Sequence, residues 1–376
     1  MSDYWGKNIP KLGFGLMRLP KNTDGSIDLE QTKEMVDLFI GAGLTYFDTA
    51  YVYDNGKSEE AARECLVKRH PRRSFTIATK LYANLANSEE EAKQQFYTSL
   101  ERTGAGYFDY YLLHALMRNN YKKYDEYHLW DFVKDLKEKE YIKHWGFSFH
   151  GDPELLEEIL TAHPDTDFVQ LQINYADWDN PNVASRRCLE ICRKFNKSVV
   201  VMEPVKGGAL ADPPDNIREI FTKANPALSP AGWAIRFAAS QDGIITVLSG
   251  MSNVEQMKDN LSYMAHFEPL SEEETSVIQK AQEELKKVKL IECTSCHYCT
   301  KGCPVGMPIP DIFKSMNLWK QMERWDAVQS YKTATGKEGA TKAGECIKCG
   351  ACETACPQHL SIIKLLEEAD EIYKDA

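Results

Sequence analysis

The stretch LTYFDTAYVYDNGKSEE (residues 44–60) joins a short β-rich run to the beginning of a helix-patterned segment. A β-rich run followed by an amphipathic segment recurs eight times before residue 270. The runs are KLGFGLMRL (11–19), LTYFDTA (44–50), FTIATK (75–80), YFDYYLLH (107–114), IKHWGFSF (142–149), FVQLQINY (168–175), SVVVMEPV (198–205) and GIITVLSG (243–250).

The segments between these runs have helical periodicity, and several open with Ser, Asp or Pro. They cover residues 28–42, 58–69, 88–103, 125–139, 153–162, 183–195, 229–240 and 253–266. Eight such β–α units predict an α/β fold of the TIM (β/α)8 barrel type. A doubly wound sheet is the alternative, but the first run leads into MRLPKNTDG and not into a G-x-G-x-x-G phosphate loop. The chemistry is therefore expected at the carboxyl ends of the strands.

Four polar side chains mark these strand ends. Asp48 ends the second run, Tyr53 follows it in the loop, Lys80 ends the third run and His114 ends the fourth. Taken singly, each residue type has an ordinary structural explanation. Together at one mouth of a barrel, they predict a catalytic group.

The stretches FDTAYVYDNGKSEE, ATK and YLLH resemble the aldo-keto reductase family, as do LGFGLMRLP, GFSFHG, QINY and GMSNVEQMKDN. The resemblance covers residues 5–266, and Asp48, Tyr53, Lys80 and His114 match the catalytic tetrad of the family in type and order. It implies a hydride-transferring oxidoreductase that acts on a small-molecule carbonyl or alcohol.

The chemistry of the four residues agrees with that assignment. A tyrosine hydroxyl has a reference pKa of about 10 and is a weak acid for protonating a carbonyl oxygen. A nearby lysine ammonium is expected to lower the tyrosine pKa, and an aspartate would keep that lysine charged and in place. We therefore expect Tyr53 to be the general acid, Lys80 its activator and Asp48 the residue that orients Lys80. His114 would hydrogen-bond the substrate oxygen.

The family resemblance also implies a nicotinamide cofactor, either NADP(H) or NAD(H). Met202 stands where many members have a tyrosine, and GMSNVEQ contains no lysine or arginine for a 2′-phosphate, so the choice between the two cofactors stays open. The implied contacts are Gly15, Met17, Ser148, Gln172, Met202, Lys206, Gly208, Gly250, Ser252, Gln256 and Asn260.

Two cysteine runs follow the predicted barrel. CTSCHYCTKGCP (293–304) and CIKCGACETACP (346–357) both have the spacing C-x2-C-x2-C-x3-C-P. That spacing is typical of iron–sulfur ligands and differs from the two separated pairs of a structural zinc site. It resembles bacterial-type dicluster ferredoxins, which implies two [4Fe-4S] clusters with crossed ligands. One cluster would be bound by Cys293, Cys296, Cys299 and Cys356, and the other by Cys346, Cys349, Cys352 and Cys303.

The residues between the two runs have helical patterns, so a small, mainly helical dicluster domain is predicted. We expect a barrel over residues 1–270, a connecting helix over 271–289 and the dicluster ferredoxin-like domain over 290–376. The other three cysteines, Cys65, Cys188 and Cys192, lie in helix-patterned segments and are expected to be buried packing residues.

Composition excludes several other classes. A net charge of −11 without a basic face argues against a nucleic-acid partner. No apolar stretch approaches the roughly 18 residues of a membrane span, and MSDYWGKNIPK lacks a signal-peptide pattern. A cytoplasmic protein without a membrane or nucleic-acid partner is therefore expected, in which the cysteines bind metal.

Two functional hypotheses from different classes remain. The first is an NAD(P)(H)-dependent carbonyl reductase or alcohol dehydrogenase that carries two [4Fe-4S] clusters. The second is an electron-transfer protein, in which a redox partner such as ferredoxin feeds an acceptor in the barrel through the clusters. That acceptor could be a flavin, although the sequence contains no flavin fingerprint. A third interpretation makes the clusters purely structural.

Overall fold

The computed structural model describes residues 9–180, 183–322 and 324–375. In these residues eight parallel strands form a closed barrel in chain order. The strands are β1 (Leu12–Gly15), β2 (Tyr46–Asp48), β3 (Thr76–Leu81), β4 (Phe108–Leu116), β5 (Ile142–Phe149), β6 (Phe168–Gln172), β7 (Ser198–Met202) and β8 (Ile244–Ser249). β8 pairs with β1, with Gly13 beside Leu248, and this pairing closes the barrel. The predicted (β/α)8 barrel is confirmed, and each strand overlaps the β-rich run that predicted it.

Helices connect the strands and continue beyond the barrel. They are α1 (Leu29–Gly41), α2 (Lys57–Ala62), α3 (Glu89–Thr103), α4 (Tyr121–Glu126), α5 (Leu129–Glu138), α6 (Pro153–Ala162), α7 (Ser185–Lys194), α8 (Asp215–Ala224), α9 (Pro230–Ala239), α10 (Val254–Met264), α11 (Glu272–Lys286), α12 (Tyr298–Lys301), α13 (Ile309–Lys320), α14 (Arg324–Thr335), α15 (Ala351–Thr354) and α16 (Ile362–Tyr373). Asp28, Ser88, Asp152, Ser229 and Asn253 cap α1, α3, α6, α9 and α10, each accepting a hydrogen bond from a backbone N–H of the first turn. In the part of the chain described, no helix is long and apolar enough to cross a membrane.

Three helical segments differ from the sequence prediction. The helix predicted over 125–139 is divided into α4 and α5, because His128 between them has a left-handed φ of 49°. The segment predicted over 58–69 is α2 continued by a π-helical turn at Arg63–Val67. Helix α8 was not predicted, although prolines precede it and Ile217 and Phe221 have helical spacing.

The barrel interior is filled by apolar and aromatic side chains from the strands. Tyr46 and Tyr110 project into it with ring centroids 4.9 Å apart. The buried cluster consists of Ile9, Tyr46, Ala78, Tyr110, Leu112, Phe168, Val200, Ile245 and Leu248. The barrel is thus a packed core, which leaves the strand ends as the place for a site.

Contacts divide the chain into two compact units. The first contains the residues up to Val205 together with Glu219–Gln279, and the second contains Lys206–Arg218 and the residues from Lys280 onward. The second unit is mainly helical, as predicted, and the rings of Tyr331 and Tyr373 stack in its core with centroids 4.2 Å apart. Helix α11 lies within the predicted connecting segment, and the predicted bounds of the three segments stay predictions.

Candidate active site and cluster-binding region

Three of the four predicted catalytic residues lie in neighbouring strands of the barrel, and the fourth, Tyr53, begins the turn that follows β2. Asp48 is the last residue of β2, and it lies beside Ala78 of β3. Lys80 lies beside Leu112 of β4, and His114 follows two residues further along β4. Parallel strands end at one edge of the barrel, so these side chains are brought to the same mouth.

Lys80 is the centre of this group. Its ammonium nitrogen donates to Asp48 Oδ1 at 2.5 Å, to the carbonyl oxygen of Thr49 at 2.7 Å and to the hydroxyl of Tyr53 at 3.3 Å. An ammonium has three N–H donors, so each donor has an acceptor. Gln170 donates to the second carboxylate oxygen of Asp48 at 3.3 Å. The Lys80 side chain is completely buried, and its three hydrogen bonds fix the position of the ammonium group.

The charge balance at Tyr53 differs from the sequence prediction. Burial alone would lower the pKa of Lys80, but the neighbouring Asp48 and Tyr53 favour the ammonium more strongly, so this pKa is raised. Burial raises the pKa of Tyr53, and the charge of Lys80 opposes this effect without outweighing it. The expected net decrease in the Tyr53 pKa is therefore wrong for this structure, because burial could not be judged from the sequence. Tyr53 keeps its proton at neutral pH.

His114 lies against two tyrosine rings. Its ring centroid is 5.7 Å from that of Tyr53 and 5.7 Å from that of Tyr82, in edge-to-face arrangements. Burial and then the charge of Lys80 hold the pKa of His114 well below its usual value, so the imidazole is neutral. The Nδ1 atom of His114 is buried and has no hydrogen-bond partner among the described residues. Such a buried polar atom requires a partner, which a bound ligand or a water molecule can supply.

A left-handed turn holds Tyr53 in place. Asp54, Asn55 and Gly56 have φ values of 50°, 56° and 89°. Left-handed conformation costs about 1–2 kcal/mol for each non-glycine residue. Lys21 forms an ion pair with Asp54 at 2.5 Å. Backbone strain beside the proposed acid is a feature that often marks functional sites.

Several of the implied cofactor contacts share this mouth of the barrel. Gly15 of β1 lies beside Asp48, and Gln172 of β6 lies beside Met202 of β7. The hydroxyl of Ser148 accepts a hydrogen bond from the backbone N–H of Ala115 at 2.7 Å, which fixes that side chain. Met17 is 55% exposed in the loop after β1. Lys206 and Gly208 lie in the 206–218 segment of the second unit.

The remaining implied contacts surround the beginning of α10. The backbone N–H of Ser252 donates to the Gln256 side chain at 2.7 Å. Asn260 is 4% exposed, and its Oδ1 atom has no hydrogen-bond partner among the residues described. A Cβ atom on Gly250 would lie 3.5 Å from Cδ of Arg18, so the stem of Arg18 packs against this glycine. A buried amide oxygen without a partner, glycine backbone and a helix N-terminus together fit a nucleotide.

In the second unit, the eight cysteines are divided between two cavities. One cavity is lined by Cys293, Cys296, Cys299 and Cys356, with Phe313 and Ile362 among its apolar walls. The other is lined by Cys303, Cys346, Cys349 and Cys352, with Met307 and Leu366 among its walls. Each cavity thus takes three cysteines from one run and the fourth from the other run. Four thiols around an apolar cavity are a donor set that suits an iron–sulfur cluster.

The environment of the thiols differs within each set. Burial raises the pKa of Cys299, and it raises the pKa of Cys352 to about 11. The backbone N–H of Met307 donates to Cys303 Sγ at 3.4 Å, a contact of the kind that tunes cluster potentials. Cys296 and Cys349, the second cysteine of each run, are exposed. No three His, Cys, Asp or Glu side chains in the described ranges are arranged to bind a single metal ion.

Family comparison agrees with both parts of the chain. Residues 11–283 match the model of the aldo/keto reductase family. The chain belongs to the aldo/keto reductase family. Residues 262–361 match the model of a 4Fe-4S dicluster domain, which confirms the resemblance of the cysteine-rich region.

Two relatives that align with about three quarters of this chain are oxidoreductases. An uncharacterised oxidoreductase of Bacillus subtilis is 23% identical over 72% of this chain and 92% of its own length. The 9,11-endoperoxide prostaglandin H2 reductase of Trypanosoma cruzi is 28% identical over 73% of this chain and 89% of its own length. This aldo/keto reductase is therefore an oxidoreductase.

Solved structures share the barrel fold. An aldo-keto reductase from Klebsiella pneumoniae, solved with NADP and acetate, has a TM-score of 0.59 and 20% identity, covering 73% of this chain and 93% of its own. An aldo-keto reductase from Bacillus halodurans, in its holo form, has a TM-score of 0.57 and 23% identity, covering 74% of this chain and 94% of its own.

Sequence reasoning missed three charged residues of this aldo/keto reductase. Glu203 directly follows β7 with a left-handed φ of 56°, and its charge contributes to the raised pKa of Tyr53. The side-chain stem of Arg18 packs against Gly250, and Glu59 is completely buried and bonded to Thr79 of β3. Only Glu203 had a sequence signal, because a charged residue between a buried strand and a proline is unusual.

Proposed function

We propose that this aldo/keto reductase is an NAD(P)(H)-dependent carbonyl reductase or alcohol dehydrogenase with Tyr53 as general acid. The observation that supports it best is the contact of one buried ammonium, that of Lys80, with both Asp48 and the Tyr53 hydroxyl. A lysine paired in this way is fixed and charged, which suits the stabilisation of a phenolate. The substrate is a small-molecule carbonyl or alcohol.

In the direction of reduction, a nicotinamide bound by these residues would supply the hydride that the carbonyl carbon accepts. Tyr53 donates its hydroxyl proton to the carbonyl oxygen, and solvent later returns a proton to the phenolate. Lys80 stabilises that phenolate through its 3.3 Å contact, while Asp48 keeps Lys80 charged. Because burial raises the pKa of Tyr53, the hydroxyl stays protonated and ready to donate at neutral pH.

His114 would act as a neutral hydrogen-bond donor to the substrate oxygen. Its low pKa excludes an imidazolium at neutral pH, so it does not compete with Tyr53 as the acid. Edge-to-face packing against Tyr53 and Tyr82 orients the ring. The donor would therefore be preorganised where negative charge develops on the substrate oxygen.

The cofactor would be held by three groups of residues. Ser148, Gln172 and Met202 would contact the nicotinamide, with Gly15 and Met17 from the first loop. Lys206 and Gly208 would bind the pyrophosphate, and Gly250, Ser252, Gln256 and Asn260 the adenosine end. We favour NADP(H), because the Klebsiella pneumoniae relative was solved with NADP.

The second unit would bind two [4Fe-4S] clusters for electron transfer, with the crossed ligand sets that line the two cavities. The exposed Cys296 and Cys349 support exchange with an external one-electron carrier such as a ferredoxin, because an exposed ligand brings a cluster near the surface. The proposed domains are the barrel over 1–270, the connecting helix over 271–289 and the dicluster domain over 290–376.

Anaerobic purification followed by iron, sulfide, flavin and nicotinamide analysis tests this proposal. The protein is then assayed with a panel of carbonyls and alcohols using NADPH, NADH or reduced viologen. Nicotinamide-dependent turnover that Tyr53→Phe abolishes is expected. Turnover with viologen alone, together with bound flavin, would instead favour an electron-transfer protein with its acceptor in the barrel.

A further inference from the structure

An ion pair between a partly exposed arginine and a buried glutamate lies beside the segments that carry Lys80 and Tyr53. Glu59 of α2 is completely buried, and its Oε2 atom is 3.3 Å from Nη1 of Arg102 in α3. The other carboxylate oxygen accepts a hydrogen bond from Thr79 Oγ1 at 2.6 Å. Thr79 directly precedes Lys80 in β3, so Glu59 is bonded to the strand segment that carries the ammonium.

Arg102 contacts the segment that carries Tyr53. Its Nη1 atom donates to the carbonyl oxygen of Tyr51 at 3.2 Å, and its guanidinium lies 4.5 Å from the centroid of the Tyr51 ring. The guanidinium also packs beneath Gly56, where a Cβ atom would lie 2.5 Å from Arg102 Cζ. Arg102 therefore supports the polypeptide on both sides of Tyr53.

We infer that the Glu59–Arg102 pair positions Tyr53 relative to Lys80, an inference that rests on the proposed role of Tyr53. Glu59 fixes the Lys80 side of the contact through Thr79, and Arg102 fixes the Tyr53 side through Tyr51 and Gly56. The two residues would act as positioning residues, through Thr79, Tyr51 and Gly56, and not on the reacting atoms.

The local geometry explains why such support is needed. Tyr53 lies between a strand end and the left-handed turn of Asp54, Asn55 and Gly56, a conformation that non-glycine residues disfavour. The Tyr53–Lys80 contact, at 3.3 Å, has little room to lengthen before the hydrogen bond is lost. A planar guanidinium can bond the carboxylate, bond a carbonyl and stack on an aromatic ring at once, which an ammonium cannot.

A purely structural role makes a different prediction. If the pair only held α2 against α3, its removal would lower kcat only by reducing the fraction of protein that is folded. Removing Arg102 alone also leaves the Glu59 carboxylate buried without its cation, so the single variant is destabilised for a second reason. The two effects are separated by removing both charges together.

The experiment compares Arg102→Met, Arg102→Lys, Glu59→Gln and the double variant Glu59→Gln/Arg102→Met in the full-length protein. Arg102→Met is expected to lower kcat for carbonyl reduction about 10- to 100-fold, because small misplacements of a reacting group have effects of this size. The Kd of NADPH should change less than about twofold, and Arg102→Lys should recover part of kcat. The double variant should recover folding stability but not kcat. Recovery of both in the double variant would overturn the inference.

A second readout does not depend on turnover. The ultraviolet difference titration of each protein against its own Tyr53→Phe version reports the ionisation of Tyr53. Arg102→Met should raise the pKa of Tyr53 further, since the hydroxyl loses its place beside Lys80. An unchanged Tyr53 titration would refute positioning. If the wild-type protein reduced no carbonyl, the proposed function would be refuted. The positioning of Tyr53 by the Glu59–Arg102 pair would still be tested by this titration.

Arg69→Met is the matched control. Arg69 also binds a carboxylate, Asp37, but both side chains are partly exposed. Its loss should leave kcat and the Tyr53 titration unchanged. A fall in kcat equal to that of Arg102→Met would show that loss of any arginine pair has the same effect, and would also overturn the inference.

Discussion

The ammonium nitrogen of Lys80 lies 2.5 Å from Oδ1 of Asp48, and the two side chains are 0% and 3% exposed. Neither charge can be solvated by bulk water, so each depends on the other. Removing one member of such a pair leaves an uncompensated buried charge, whereas removing both does not. The pair that supports the proposed acid is therefore also a point on which folding depends.

Asp48→Asn should lower the free energy of unfolding by about 3–5 kcal/mol, because Lys80 stays buried without its counter-charge. Urea unfolding near neutral pH measures this loss. The double variant Asp48→Asn/Lys80→Met should recover much of the lost stability. A double variant less stable than the single one would show that the two charges are not coupled.

Tyr53→Phe should reduce carbonyl turnover about 10²- to 10⁴-fold, the usual contribution of a general acid. The ring remains, so its contact with His114 and the Kd of NADPH should change little. Steady-state kinetics and cofactor titration measure the two quantities. An unchanged rate would rule out Tyr53 as the acid.

Lys80→Met should move the alkaline limb of the pH–rate profile to higher pH while lowering the maximal rate. Reduction requires protonated Tyr53 and is lost as pH rises through the Tyr53 pKa. Burial raises that pKa, and Lys80 is the neighbour that opposes the increase, so its removal raises the pKa further. A limb that moved to lower pH would contradict this assignment of charges.

His114→Gln should make folding stability less sensitive to acid. The unfolded chain takes up a proton on His114 as pH falls below about 6.5, whereas the folded protein resists it because the His114 pKa is depressed. Wild-type stability should therefore decrease as pH falls below that value, and the variant should lose part of this decrease. Urea midpoints between about pH 5 and pH 8 provide the measurement.

His266→Gln is the control for this prediction, because His266 is exposed. Equal slopes in the wild type and His114→Gln would argue against a buried neutral imidazole.

Cys303→Ser should perturb the cluster associated with the second cysteine run, since Cys303 lines the cavity of Cys346, Cys349 and Cys352. Electron paramagnetic resonance of the reduced protein, compared with Cys299→Ser, separates the two clusters. Cys65→Ser serves as the control, because Cys65 lies in the barrel unit. Damage confined to the cluster of the first run would contradict the crossed ligand sets.

The barrel and the grouping of the four proposed catalytic residues could be predicted because their signals are local. Strand hydrophobicity alternated with helical periodicity, and the polar residues stood at strand ends in order. Helix α8 was missed because one helix was expected between β7 and β8, and α9 met that expectation. The raised pKa of Tyr53 was missed because burial depends on the whole fold. The Glu59–Arg102 pair was equally invisible, since two common charged residues on different helices carry no pattern that predicts their contact.

The division of the cysteines between the two cavities constrains the order in which the protein can mature. Cys293, Cys296 and Cys299 leave the ribosome well before Cys356, with the whole of α13 and α14 synthesised between them. Neither set of four ligands exists until the second run has been made, whereas the last barrel strand precedes both runs in the chain. Barrel folding can therefore begin during translation, but with the proposed crossed ligand sets the insertion of either cluster would wait for the second run. A nascent chain stalled between the two runs would carry a nearly complete barrel and the four thiols of the first run without their partners from the second run.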